Sequence, residues 1–141
     1  LFIQDVIVKM PQPLYQRFQQ VAHATHQSLD DVIVRAMEVG SPPSWEEAPP
    51  EFQADLAALD RLDDTSLWRI ARSSQLTEDM TRYQELLDQK ANGQLTPTER
   101  VELSQLRKAA DRFLLRKAYA VDLLRWRGHA IPPAHQLTPL P

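Results

Sequence analysis

The sequence predicts a mainly α-helical protein in which one short amino-terminal strand leads into two helices, followed by a helical carboxy-terminal region with a long last helix. Three observations predict it. Long runs rich in Leu, Ala, Glu, Gln, Arg and Lys place apolar residues at helical spacing, and three Gly stand against eleven Pro, a balance that favours helices separated by stiff breaks. β-Branched residues crowd together at one place, Ile3, Val6, Ile7 and Val8. The 141 residues are 43% hydrophobic and 25% charged, as in folded rather than disordered chains. The absence of Cys excludes disulfides, thiolate metal sites and Cys nucleophiles. No apolar run approaches the ~20 residues that span a bilayer, so a cytoplasmic protein without a membrane partner is expected. The sequence opens on Leu1 rather than Met, which leaves room for native residues ahead of the strand.

The strand is expected over Phe2 to Met10, because Pro11 cannot donate to a paired ladder. Alternation puts Val6, Val8 and Met10 on one face and Asp5, Ile7 and Lys9 on the other. Pro13 suits the first turn of a helix whose stripe is Leu14, Phe18, Val21 and Ala22, ending near Thr25. Ser28 followed by Asp31 resembles a capping box with Asp in place of Glu. It opens a second helix striped by Leu29, Val32, Ile33, Ala36 and Met37, which Gly40 stops.

About forty residues bury too little apolar surface to stand alone, and the strand has no partner nearby in sequence. A second copy related by a two-fold axis supplies both, with Val6, Val8, Met10, Phe18 and Ile33 as the expected dimer core.

The stretch VIVKMPQPLYQRFQQVAHATHQSLDDVIVRAM, residues 6 to 37, resembles the Arc/MetJ-type ribbon-helix-helix family without gaps. The match covers about a quarter of the chain. The resemblance implies a dimer whose two-stranded ribbon enters the DNA major groove, in proteins that often serve as antitoxins or repressors. It implies that Asp5, Ile7 and Lys9 face bases and that the amides of Ser28 and Leu29 hold a backbone phosphate. Of the three strand positions only Lys9 suits DNA well: Asp5 repels phosphate and Ile7 offers apolar contact alone. His26 stands where the family often has Gly or Asn, and His tolerates the left-handed turn better than most residues.

Residues 41 to 50 hold four prolines and read as a stiff linker between a dimerisation and DNA-binding module, 1 to 40, and a helical partner-binding region, 51 to 128. Trp45 in the linker is either pinned to a neighbouring groove or an exposed partner anchor. Phe52, Leu56, Leu59 and Leu62 suggest one helix; Asp63, Asp64 and Thr65 start another carrying Leu67, Trp68, Ile70 and Ala71. A third runs from Thr77 to Ala91 on Met80, Tyr83, Leu86 and Leu87 and stops at Asn92-Gly93. Thr96-Pro97-Thr98-Glu99 starts the last, striped by Leu103, Leu106, Ala110, Phe113, Leu114, Ala118, Val121 and Leu124 to about Arg127. At 1.5 Å per residue it reaches about 45 Å, more than a small core covers. Residues 129 to 141 form a Pro-rich tail.

Charge is uneven along the chain. Residues 41 to 95 carry five bases against eleven acids, and residues 96 to 141 carry eight against four. Arg107, Lys108, Arg112, Arg116 and Lys117 therefore read as a basic stripe that either packs on acidic helices or faces an acidic partner. Asp88, Asn92, Gly93, Leu95, Thr96 and Glu99 match calcium-loop positions, but Lys90 takes the third ligand position, so a helical hairpin is the better reading. His23 and His26 lack a metal-binding companion, and no nucleotide-binding or hydrolase motif occurs. No cofactor and no catalysis are expected.

The expected function is that of an antitoxin-like or repressor-like homodimer. Its amino-terminal ribbon would bind operator DNA, and its carboxy-terminal helices, with Trp45, Arg107, Lys108, Arg112 and Arg116, would bind a protein such as a toxin nuclease. The alternative is an assembly protein that keeps the ribbon for dimerisation only.

Overall fold

The computed structural model describes residues 2–137. Its elements are α1 (Gln12–Thr25), α2 (Leu29–Val39), α3 (Pro50–Leu59), α4 (Asp64–Ala71), α5 (Thr77–Ala91), α6 (Pro97–Trp126) and a short 3-10 turn at Ala134–Gln136. The chain divides into two compact units, Leu1–Ser41 and Pro42–Pro141.

The expected strand is corrected. Among the described residues there is no strand: residues 2–9 are irregular and exposed, and Val6 and Val8 keep 70% and 60% of their surface. The fold is therefore all-helical and not a ribbon-helix-helix. The reason is physical: β propensity reports the fit of a side chain to a paired, half-buried surface. The described residues offer no second strand to exchange hydrogen bonds, so propensity alone does not hold an isolated segment in a ladder.

The first unit is thus an exposed arm on a helical hairpin. Pro11 and Pro13 open α1, and His26 closes it in the left-handed region at φ 53, its N–H reaching the carbonyls of Ala22 and His23. Ser28 caps α2, its Oγ accepting from the Asp31 N–H at 3.0 Å. α1 packs against α2. The only buried hydrophobics there, among the described residues, are Ala22 and Val32.

The second unit has a genuine core. Leu56 and Leu59 of α3, Leu67 and Ala71 of α4, and Tyr119, Ala120, Leu123 and Leu124 of α6 form one buried cluster. Residues 42–50 belong to this unit, and Trp45 and Ala48 pack against the cluster. Asp63 caps α4 through the Ser66 N–H at 2.8 Å. Thr96 and Glu99 form a reciprocal capping box at the start of α6, with Pro97 in the first turn. α5 ends at Asn92, and Gly93 at φ 68 makes the turn that lets α5 fold back on α6. Tyr83 is half-buried, while Leu86 of α5 and Leu103 of α6 are buried.

Candidate functional site

Two tethers fix the shape of the second unit. Beyond the end of α6, the Arg127 guanidinium donates to the carbonyl of Leu62 at 2.8 Å, to Asp64 Oδ1 at 2.9 Å and to the carbonyl of Asp60 at 3.2 Å. His129 Nε2 lies 2.7 Å from the second oxygen of Asp64, and its ring meets Trp68 edge-on at 5.9 Å. Asp64 stands in the first turn of α4, where a negative charge also suits the helix dipole. The hydrogen bonds from Arg127 and then His129 hold its carboxyl below the ordinary carboxylate value of 3.8. A carboxyl held low stabilises the fold above its unfolded pKa and loses that contribution as pH falls through its folded pKa. Asp64→Asn should therefore lower the melting temperature at neutral pH. Its deficit relative to the native chain should close as pH drops below 3.8, which a thermal-melt series across pH will check.

The second tether joins α5 to α6. Arg82 meets Glu102 through two parallel bonds, Nε to Oε1 at 2.7 Å and Nη2 to Oε2 at 2.9 Å, with Glu85 at 3.3 Å and Glu99 at 3.7 Å nearby. Glu102, and after it Glu85, hold the guanidinium pKa above its ordinary value. Tyr119 is a comparable fixed point, donating to Asp60 Oδ1 at 2.6 Å, and burial pushes its hydroxyl pKa up.

The arm places Asp5, Ile7 and Lys9 in solvent, together with Val6 and Val8. Met10, Phe18, Leu29 and Ile33 are half-buried. The start of α2 is less suited to a phosphate than its sequence suggests. Ser28 Oγ is engaged by Asp31, and Asp30 and Asp31 put two negative charges in the first turn.

The basic stripe of α6 separates into several environments. Arg112 Nε pairs with Asp55 at 3.0 Å and its guanidinium lies 5.8 Å from the Phe52 ring. Lys117 donates to the carbonyl of Ser73 at 2.9 Å. Arg116 borders a cleft with Asp55 and Leu62, and Arg107 borders another with Lys90 and Arg100. Lys108 is exposed. Trp45 is half-buried. The stripe is therefore not one continuous electrostatic face: two of its five members are engaged within the unit.

The remaining surface escapes charge-based reading. Leu76, Met80 and Leu114 keep 69%, 53% and 59% of their surface exposed around a groove of about 570 Å³ between α5 and α6. Met80 and Leu114 belong to the apolar stripes of their helices. Their exposure marks stripe that the hairpin leaves uncovered. The calcium-like residues are otherwise used: Asp88 Oδ1 accepts from Gln84 at 3.0 Å and Glu99 serves the capping box. Among the described residues no group of three or more His, Asp or Glu is placed to hold a metal, and no helix is long and apolar enough to cross a membrane.

Comparison with protein-family models, curated proteins and solved structures found no match to this chain.

Proposed function

We propose that this protein is a self-associating adaptor: its amino-terminal unit pairs two copies, and its helical second unit holds a protein partner. The observation that carries this reading is the mismatch in the first unit between apolar surface and burial. Phe2, Ile3, Val6, Ile7, Val8, Leu14, Val34, Met37 and Val39 are exposed, while Ala22 and Val32 are the buried hydrophobics there among the described residues. Exposed apolar surface on this scale in forty residues marks an interface. A second copy carries the same uncovered surface, so a two-fold contact would cover both at once. An antitoxin-like organisation, with a toxin as partner, fits the same arrangement.

Lys9 is the sole lysine of the first unit, which gives a direct test. When isotopically light and heavy full-length chains are mixed and treated with a short amine-reactive cross-linker, mixed-isotope Lys9–Lys9 peptides are expected. Cross-links confined to Lys90, Lys108 and Lys117 would count against pairing through this unit.

Operator DNA is a second reading, favoured by the solvent-facing Lys9 on the arm. It requires duplex binding that weakens with salt and with Lys9→Ala. Asp5 and the acidic start of α2 oppose it, so the adaptor reading stands first.

A further inference from the structure

The groove between α5 and α6 is the second unit's own unfinished surface. A two-helix hairpin buries one edge of each apolar stripe and leaves the other edge facing out. Here the inner edge holds Leu86 and Leu103, both buried, while Leu76, Met80 and Leu114 line the open side with Leu106 and Phe113 beneath. From Leu106 to Leu114 the α6 wall runs about 12 Å at 1.5 Å per residue, a little over two helical turns. That length matches the i, i+4, i+7 anchors of one docked helix.

Charge narrows the occupant further. Asp79 and Asp111 lie in the groove lining, and no Lys, Arg or His lines it with them. An isologous contact between two copies sets the same patch against itself, which here would gather four carboxylates, Asp79 and Asp111 of each copy, with no cation of the lining to offset them. A foreign helix carrying Lys or Arg beside its apolar stripe meets no such repulsion.

We propose that the α5–α6 groove receives one amphipathic helix of a partner protein. Its apolar stripe packs on Leu76, Met80 and Leu114, and its flanking cations meet Asp79 and Asp111. This names the partner chemistry for the second half of the adaptor reading and rests on it. It moves that contact away from Trp45 and the basic stripe.

The test uses the full chain and two designed helical peptides with the same leucine stripe, one flanked by Lys and one by Glu, followed by fluorescence anisotropy. The Lys peptide is expected to bind at least about tenfold more tightly than the Glu peptide. Met80→Gln with Leu114→Gln, both at exposed positions, should weaken it about tenfold, and Asp79→Asn with Asp111→Asn should erase most of the preference for Lys over Glu. Glu46→Gln with Glu47→Gln, remote from the groove, should change nothing. Circular dichroism melts confirm that the variants fold. Absence of binding, equal affinity for the two peptides, or indifference to the groove substitutions overturns the proposal. So does a fall in the chain's solution mass on Met80→Gln with Leu114→Gln, which would assign the groove to a second copy. Val6→Asp with Val8→Asp should leave peptide affinity intact. If the Lys9 cross-link forms while the peptide fails, the groove assignment falls and self-association survives.

Discussion

Val6→Asp combined with Val8→Asp should leave a chain that stays folded as a 16.2 kDa monomer at concentrations where the native chain is paired. Both side chains are mostly exposed within one copy, at 70% and 60%, so neither substitution opens a cavity in its own unit. Burying a Val against a partner contributes roughly 1.5–3 kcal/mol, and an Asp in its place carries a desolvation cost as well. Losing two such contacts should raise the dissociation constant by about a hundredfold or more. Sedimentation velocity of native and variant chains reads this directly, and an unchanged melting profile for the second unit is expected alongside it. A variant that sediments like the native chain would remove the arm from the interface.

Leu124→Ala should be the most damaging single truncation in the second unit. Leu124 is fully buried in the cluster that joins α3, α4 and α6. Truncating a core Leu costs about 2–5 kcal/mol, the spread reflecting how far the surroundings collapse. In a unit of this size that corresponds to a fall of the order of 10–30 °C in melting temperature. Leu114→Ala, ten residues earlier on the same helix and 59% exposed, should change stability by less than about 0.5 kcal/mol. Parallel thermal melts of the two variants check the contrast. Equal losses would mean that Leu114 is packed in the free protein, and the groove would not be open.

Local signals were legible in the sequence where a side chain acts on its own backbone. Ser28, Asp63 and Thr96 cap the helices they precede, and His26 and Gly93 adopt the positive φ values their turns require. Each such choice is settled within three or four residues. A strand is less legible, because a ladder depends on a partner that lies outside the segment. Residues Phe2 to Met10 have the composition of a strand and, among the described residues, no strand to pair with.

The face of α6 was legible only in part, for a related reason. Leu103 and Leu124 are buried as expected and Val121 packs against the cluster, but the second half of the helix also turns Tyr119, Ala120 and Leu123 inward while Ala118 is exposed. α3, α4 and α5 all pack against this one helix, so a single 3.6-residue stripe does not describe its 30 residues. The tethers of Asp64 to Arg127 and His129 join residues more than sixty positions apart, which no local pattern encodes. The groove escaped for the opposite reason: its apolar residues carry the same periodicity as core, and only their exposure separates the two.

An amino-terminal unit left incomplete in one copy should be finished by another. Multi-angle light scattering of the native full chain over a dilution series measures it most directly. A mass near twice 16.2 kDa is expected at high concentration, falling toward 16.2 kDa on dilution. A mass of 16.2 kDa at every concentration, with the arm still exposed to solvent, would contradict it.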